Sequence, residues 1–195
     1  LSGVDAAPTA TATPASTADA LDEAKLSDGT APGTPLSTTG NLFTDGGVNF
    51  GADGPADGSG VTGLVIAGSE FTPFTAGETI FLSQEASVDA AITASTTSGA
   101  NARATLVINA DGSYTFTLTD NFLLSDAGDP TAQTEDISAL LGGITVLAAD
   151  GDGDQVNDGN GIALNLSVVD DVPTANATPA STADALDEAK LSDGT

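Results

Sequence analysis

The two ends of this chain are nearly the same sequence. Residues 1–30 read LSGVDAAPTATATPASTADALDEAKLSDGT and residues 166–195 read LSVVDDVPTANATPASTADALDEAKLSDGT. They agree at 26 of 30 positions at a constant offset of 165, the differences being Gly3/Val168, Ala6/Asp171, Ala7/Val172 and Thr11/Asn176. The 195 residues therefore hold one repeat of 165 and the opening of the next. Units joined in tandem touch only their neighbours, and this period is too long for one rung of a solenoid. It suits a β-sandwich module with long loops. The expected organisation is a linker from a preceding repeat over residues 1–18, a sandwich over residues 19–172, and a linker with the first strand of a following repeat over residues 173–195.

Strand signals fill the period. Residues 8–18 are Pro-, Thr- and Ala-rich and read as an extended linker. Leu21–Leu26 and Gly47–Phe50 are short strand candidates. Stronger ones are Val61–Ala67, Thr79–Leu82, Val88–Ala94, Ala102–Asn109, Ser113–Thr119, Ile144–Ala149 and Ile162–Val169. Ala104–Ile108 and Tyr114–Leu118 alternate apolar and polar residues, as a strand with one buried face does. Asn109-Ala-Asp-Gly112 between them is a hairpin turn, with Gly112 supplying the positive φ. Asp136–Leu141 reads equally as a helical turn or a strand. The fold class expected is all-β: an antiparallel β-sandwich, immunoglobulin- or cadherin-like, as one repeat of a tandem array.

Charge narrows the function. Asp and Glu number 28 against three basic residues, Lys25, Arg103 and Lys190, for a formal net charge of −25. Phosphate binding needs clustered Lys and Arg, so nucleic acid is excluded as a partner, and an anionic membrane surface with it. No apolar run approaches the roughly 18 residues of a membrane span, so direct membrane insertion is not expected. The chain has no Cys, His, Met or Trp, which removes disulfides, zinc sites with sulfur or imidazole ligands, and thiol or imidazole catalysis. A small extracellular module without disulfides needs another staple, and a metal ion is the natural one. Calcium takes about six to eight hard oxygen ligands and would neutralise the carboxylates.

The clearest ligand pattern is Asp150-Gly-Asp152-Gly-Asp154-Gln-Val-Asn157-Asp158-Gly-Asn160-Gly161. Carboxylates at i, i+2 and i+4 in a glycine-rich loop can turn onto one cation. It is not an EF-hand, because Gln155 and Gly161 stand where that loop needs Gly and Glu. The alternative is a solvated acidic turn. A second pattern is the junction Val169-Asp170-Asp171-Val172-Pro173, with Asp22-Glu23 and its copy Asp187-Glu188 opening the first strand of each repeat. These carboxylates could bridge two modules through a shared ion. A sandwich of this kind puts its last hairpin loop at the pole where the chain enters, so the entering linker should meet the Asp150–Asp158 loop, and Asp5 could join it. Ala6 stands there in place of the Asp171 of the downstream junction. The expected calcium ligands are thus Asp150, Asp152, Asp154, Asp158, Asp5, Asp170, Asp171, Glu23 and Glu188, with the loop the best-occupied site. Asp45, Asp53 and Asp57 form a weaker cluster that is a site or a series of turns. Asp126, Asp129, Glu135 and Asp136 read as a solvated loop.

VVDDVPTA at the junction, LDEAKLSDGT at the first strand, FGADGP, NADGSYTFTL and the AADGDGD loop together resemble the extender repeats of type I-secreted RTX adhesins, giant surface proteins of Gram-negative bacteria, and also VCBS and cadherin-like modules. The resemblance implies a calcium-binding sandwich, export to the cell surface, and a spacer role in cell attachment and biofilm formation. By it, Asp150, Asp152 and Asp154 take the acidic-loop role, and Asp170 and Asp171 the junction role. The nonapeptide calcium repeat of the RTX region is absent. The expected partners are neighbouring repeats of the same chain, with the protein otherwise monomeric. A carbohydrate- or surface-binding module is the alternative, although Tyr114 is the only Tyr or Trp. An enzyme is disfavoured, because the carboxylates sit in turns with no cleft suggested.

Overall fold

A computed structural model describes residues 7–11, 15–16, 20–125 and 134–171. Its best-patterned part is the hairpin of β8 (Ala102–Ile108) and β9 (Ser113–Leu118), which pair antiparallel from Ala104↔Leu118 to Ile108↔Tyr114. Leu106, Ile108, Tyr114, Phe116 and Leu118 point inward with at most 1% of their surface exposed, and the alternate residues Thr105, Val107, Thr115 and Thr117 are less buried. The turn is held as its sequence predicts. Gly112 has φ +78°, its N–H donates to the Asn109 carbonyl, and the Asp111 carboxylate accepts from the Ser113 N–H and hydroxyl. Those bonds hold the Asp111 carboxyl below its usual range.

This hairpin is the middle of one sheet. β3 (Ser37–Asn41) pairs with β9, and β6 (Thr79–Gln84) joins β8 to β7 (Ile92–Ser95), all antiparallel. The opposing layer is built on β11 (Ile144–Ala148), which pairs antiparallel with β4 (Val61–Ile66) and β12 (Ile162–Asn165), with β5 (Ser69–Glu70) beyond β4. Inward residues of both layers, among them Leu64, Val146 and Leu164 from one and Ile80, Leu82 and Leu106 from the other, form a single buried cluster. The all-β sandwich expected from the sequence is the architecture observed, and burial of these side chains is its main driving force.

The chain after β12 changes partners. β13 (Ser167–Val169) pairs antiparallel with β10 (Thr134–Asp136) and parallel with β2 (Leu21–Asp22). The switch occurs at Leu166, because a one-turn helix, α2 (Ile137–Leu140), takes over its backbone. The Leu166 N–H donates to the buried Ser138 hydroxyl at 2.6 Å, and the Ile137 N–H donates to the Leu166 carbonyl at 2.8 Å. A further short strand, β1 (Ala15–Ser16), pairs parallel with β12 at Ala15↔Leu164 and Ser16↔Asn165.

Several local expectations are corrected. Leu21–Leu26 is strand only to Asp22, because the Asp22 carboxylate caps the Ala24 N–H and turns Glu23–Lys25 into a 3₁₀ turn. Gly47–Phe50 contributes one isolated bridge, Asn49 to Thr9. It follows a helical turn, α1 (Leu42–Asp45), that Asn41 caps. In Val88–Ala94 the strand begins at Ile92, since Val88 is 61% exposed and Asp89 has φ +57°. Ile162–Val169 is two strands. Asp136–Leu141 is the end of β10 and then a helical turn, so Glu135 and Asp136 belong to a strand and a cap rather than a solvated loop. Asp126 and Asp129 lie outside the described residues.

Candidate metal sites

Asp150 lies two residues past the end of β11 and is fully buried. Its Oδ1 accepts from the N–H of Asp154 at 2.8 Å and of Gly153 at 3.2 Å, and its own N–H donates to the Asp154 carbonyl at 2.9 Å. This local closure is what a short Asp side chain in a turn does well. It curls the chain so that Asp150, Asp152 and Asp154 each bring a carboxylate oxygen within 4.8 Å of the others. Asp152 and Asp154 are exposed. The second Asp150 oxygen, Oδ2, is buried and has no hydrogen-bond partner. The ion pairs among the described residues, Lys25 with Asp22 and Arg103 with Asp120, are elsewhere. Three carboxylates this close repel one another, and a buried oxygen without a donor carries a desolvation penalty of ~1–3 kcal/mol or more. A cation relieves both. These three residues could hold a metal ion, and their all-oxygen donor set fits a hard divalent one.

The loop is braced by residues 53–60. Gly151 donates to the Gly54 carbonyl and Ala56 to the Ala149 carbonyl, both at 2.9 Å. A Cβ on Gly151 would lie 2.7 Å from the Asp53 carbonyl, so glycine is required for this close approach. Asp45, Asp53 and Asp57 do not join the acidic group: Asp45 Oδ2 accepts from the Asn41 N–H, and Asp53 meets the loop through its backbone. Asp158 stands apart too, exposed at φ +54°. Its neighbour Asn157 does the binding there, to protein. Asn157 Oδ1 accepts from the Ala10 N–H at 2.9 Å, its Nδ2 donates to the Gly161 carbonyl, and its N–H donates to the Pro8 carbonyl. The entering chain thus meets this loop, as the sandwich topology requires. Asp5 and Glu188 lie outside the described residues.

Asp170 and Asp171 lie elsewhere, just beyond β13. The parallel register Leu21↔Val168, Asp22↔Val169 sets Glu23 beside them. The carboxylates expected to bridge two modules are instead brought together within one. They line a cleft of about 170 Å³ with Asp28, Gly29 and Asn121, over Leu26. Glu23 is 1% exposed. Its Oε1 accepts from the Phe122 N–H at 2.7 Å, and the carboxyl also meets the Asp170 side chain and the Asp171 backbone. Burial pushes its carboxyl up to about 8, the Phe122 N–H opposes the rise, and the Asp170 carboxylate adds to it. Asp171 is pinned by the Thr30 N–H at 2.8 Å and by the Thr30 hydroxyl. Asp28, Asn121 and Asn157 were not legible as site residues from local sequence: each becomes one through a contact with a distant element.

No protein-family model and no curated protein matches this chain. No helix among the described residues is long and apolar enough to cross a membrane.

Proposed function

We propose that this chain is a calcium-stabilised structural spacer: a repeat of a large bacterial surface adhesin that holds a distal adhesive domain away from the cell. The observation that carries the reading is the buried, unpartnered Asp150 Oδ2 in a group of three carboxylates, in a module whose sequence begins again after 165 residues. Calcium is the preferred ion because the donors are all oxygen and weak sites fill at millimolar extracellular calcium. Asp150, Asp152 and Asp154 would hold one ion. Glu23, Asp170 and Asp171 would hold another against Asp28 and tie the first strand of the module to its last. Each ion removes like-charge repulsion from one site, so the module stiffens outside the cell, where calcium is abundant. The carbohydrate-binding reading is weaker, because Tyr114 is 1% exposed and offers no stacking platform. Thermal unfolding with calcium or a chelator, beside calorimetric titration, tests the proposal. Binding heat and a higher melting temperature, both reduced by Asp152→Asn with Asp154→Asn, are expected. No binding heat and no shift at several millimolar calcium would remove the metal from the proposal.

A further inference from the structure

The stretch that composition marks as a linker is, where described, part of the module. Thr9 exchanges two backbone hydrogen bonds with Asn49 at 3.0 and 2.8 Å, and the Thr11 N–H and hydroxyl both donate to the Gly46 carbonyl at 2.9 Å. Asn157 clamps Pro8 and Ala10 as described above. Ala15–Ser16 and Leu21–Asp22 then add parallel edge strands to β12 and β13, and Leu21 and Leu26 are buried in the core. This segment has a copy. Residues 177–195 are identical to residues 12–30, and Pro173, Thr174 and Ala175 repeat Pro8, Thr9 and Ala10. The one change in between, Asn176 for Thr11, keeps a side-chain donor for the carbonyl that Thr11 meets.

We propose that residues 173–191 are a docking segment whose partner is a second copy of this repeat, which they engage as residues 8–26 engage this one. The inference rests on the tandem-repeat part of the proposed function and not on its metal. One complete repeat offers one acceptor surface, and here the described residues 8–11, 15–16 and 20–26 lie on it. The second donor needs a second acceptor, which a following repeat supplies. Only Val172 then separates Asp171, held by Thr30 of one module, from Pro173, held by the next. Consecutive modules abut without a free linker, so the rod is stiff partly because its hinge is so short.

The two lysines report on the two copies. Lys25 and Lys190 lie in identical surroundings in sequence, so a lysine-specific protease distinguishes them by structure alone, and the fragments 1–25 and 191–195 separate by mass. On this proposal, cleavage at Lys190 in this chain should be at least ~10-fold faster than at Lys25. With a second full repeat appended after residue 195, cleavage at Lys190 should slow to the Lys25 rate. Asn157→Ala, which releases the Pro8–Ala10 clamp, should speed cleavage at Lys25 several-fold. Equal rates at both lysines in this chain, or a Lys190 rate unchanged by the added repeat, would overturn the proposal. Protection of Lys190 in the one-repeat chain that rises with protein concentration would support it, as exchange between copies. Running the digest in calcium and in chelator separates the two readings: a lysine contrast that persists while calcium leaves melting unchanged would sink the metal alone.

Discussion

The Asp150–Asp154 loop precedes β12 and the Glu23–Asp171 cleft follows β13, and each contains a buried carboxylate, Asp150 in one and Glu23 in the other. They are assembled differently. The loop draws its three acids from five consecutive residues, and backbone bonds to Asp150 Oδ1 close it. The cleft draws Glu23 and Asp170 from positions 147 residues apart, joined by one parallel strand pairing. A local site should survive loosening of the module better than one that exists only while its first and last strands are paired.

Experiments can break or sharpen that contrast. The largest effect is expected from Asp150→Ala, which strips acceptors from two N–H groups and removes a metal ligand. Stability should fall by about 3–5 kcal/mol in calcium but by only about 1–3 kcal/mol in chelator, read by denaturant unfolding. Equal losses in both would mean that the loop holds no ion. In the cleft, Glu23 has its carboxyl raised from 4.5 to about 8. An acid whose folded value is raised binds its proton more tightly when folded. Its contribution is therefore full below about pH 4.5 and lost as pH rises to about 8. Metal-free protein should lose up to about 5 kcal/mol over that window through this group. Glu23→Gln should flatten the profile, and so should calcium. A profile unchanged by Glu23→Gln would show that the carboxylate is solvated rather than buried. Asp171→Ala should cost about 1–2 kcal/mol through the lost Thr30 bonds while leaving calcium binding at the loop intact. Altered loop affinity would show that the two sites are coupled. The smallest effect is expected from Asp28→Asn at the exposed wall of the cleft. Stability should change by less than about 0.5 kcal/mol, and calorimetry should show calcium binding at the cleft weakened a few-fold.

The acidity is also less uniform in purpose than the composition suggests. Asp22, Asp45, Asp89, Asp111, Asp136 and Asp171 each accept local or cross-loop hydrogen bonds from backbone N–H groups. Part of the negative charge is thus turn and cap chemistry, a use of Asp that needs no ion.

Sequence alone determined the 165-residue period, the sandwich class, the β8–β9 hairpin with its turn, and the Asp150–Asp154 group. Each is written in residues close together or in an exact repeat, where spacing and alternation carry the physics. Tertiary structure decided the rest. It ended the first strand at Asp22 through a side-chain cap, broke Ile162–Val169 at Leu166 through α2, and turned Pro8–Thr11 from linker into part of the module through Asn157. It also set Glu23 beside Asp170 and Asp171 of its own module, because parallel pairing joins the two ends of a repeat and no local pattern encodes a partner nearly 150 residues away.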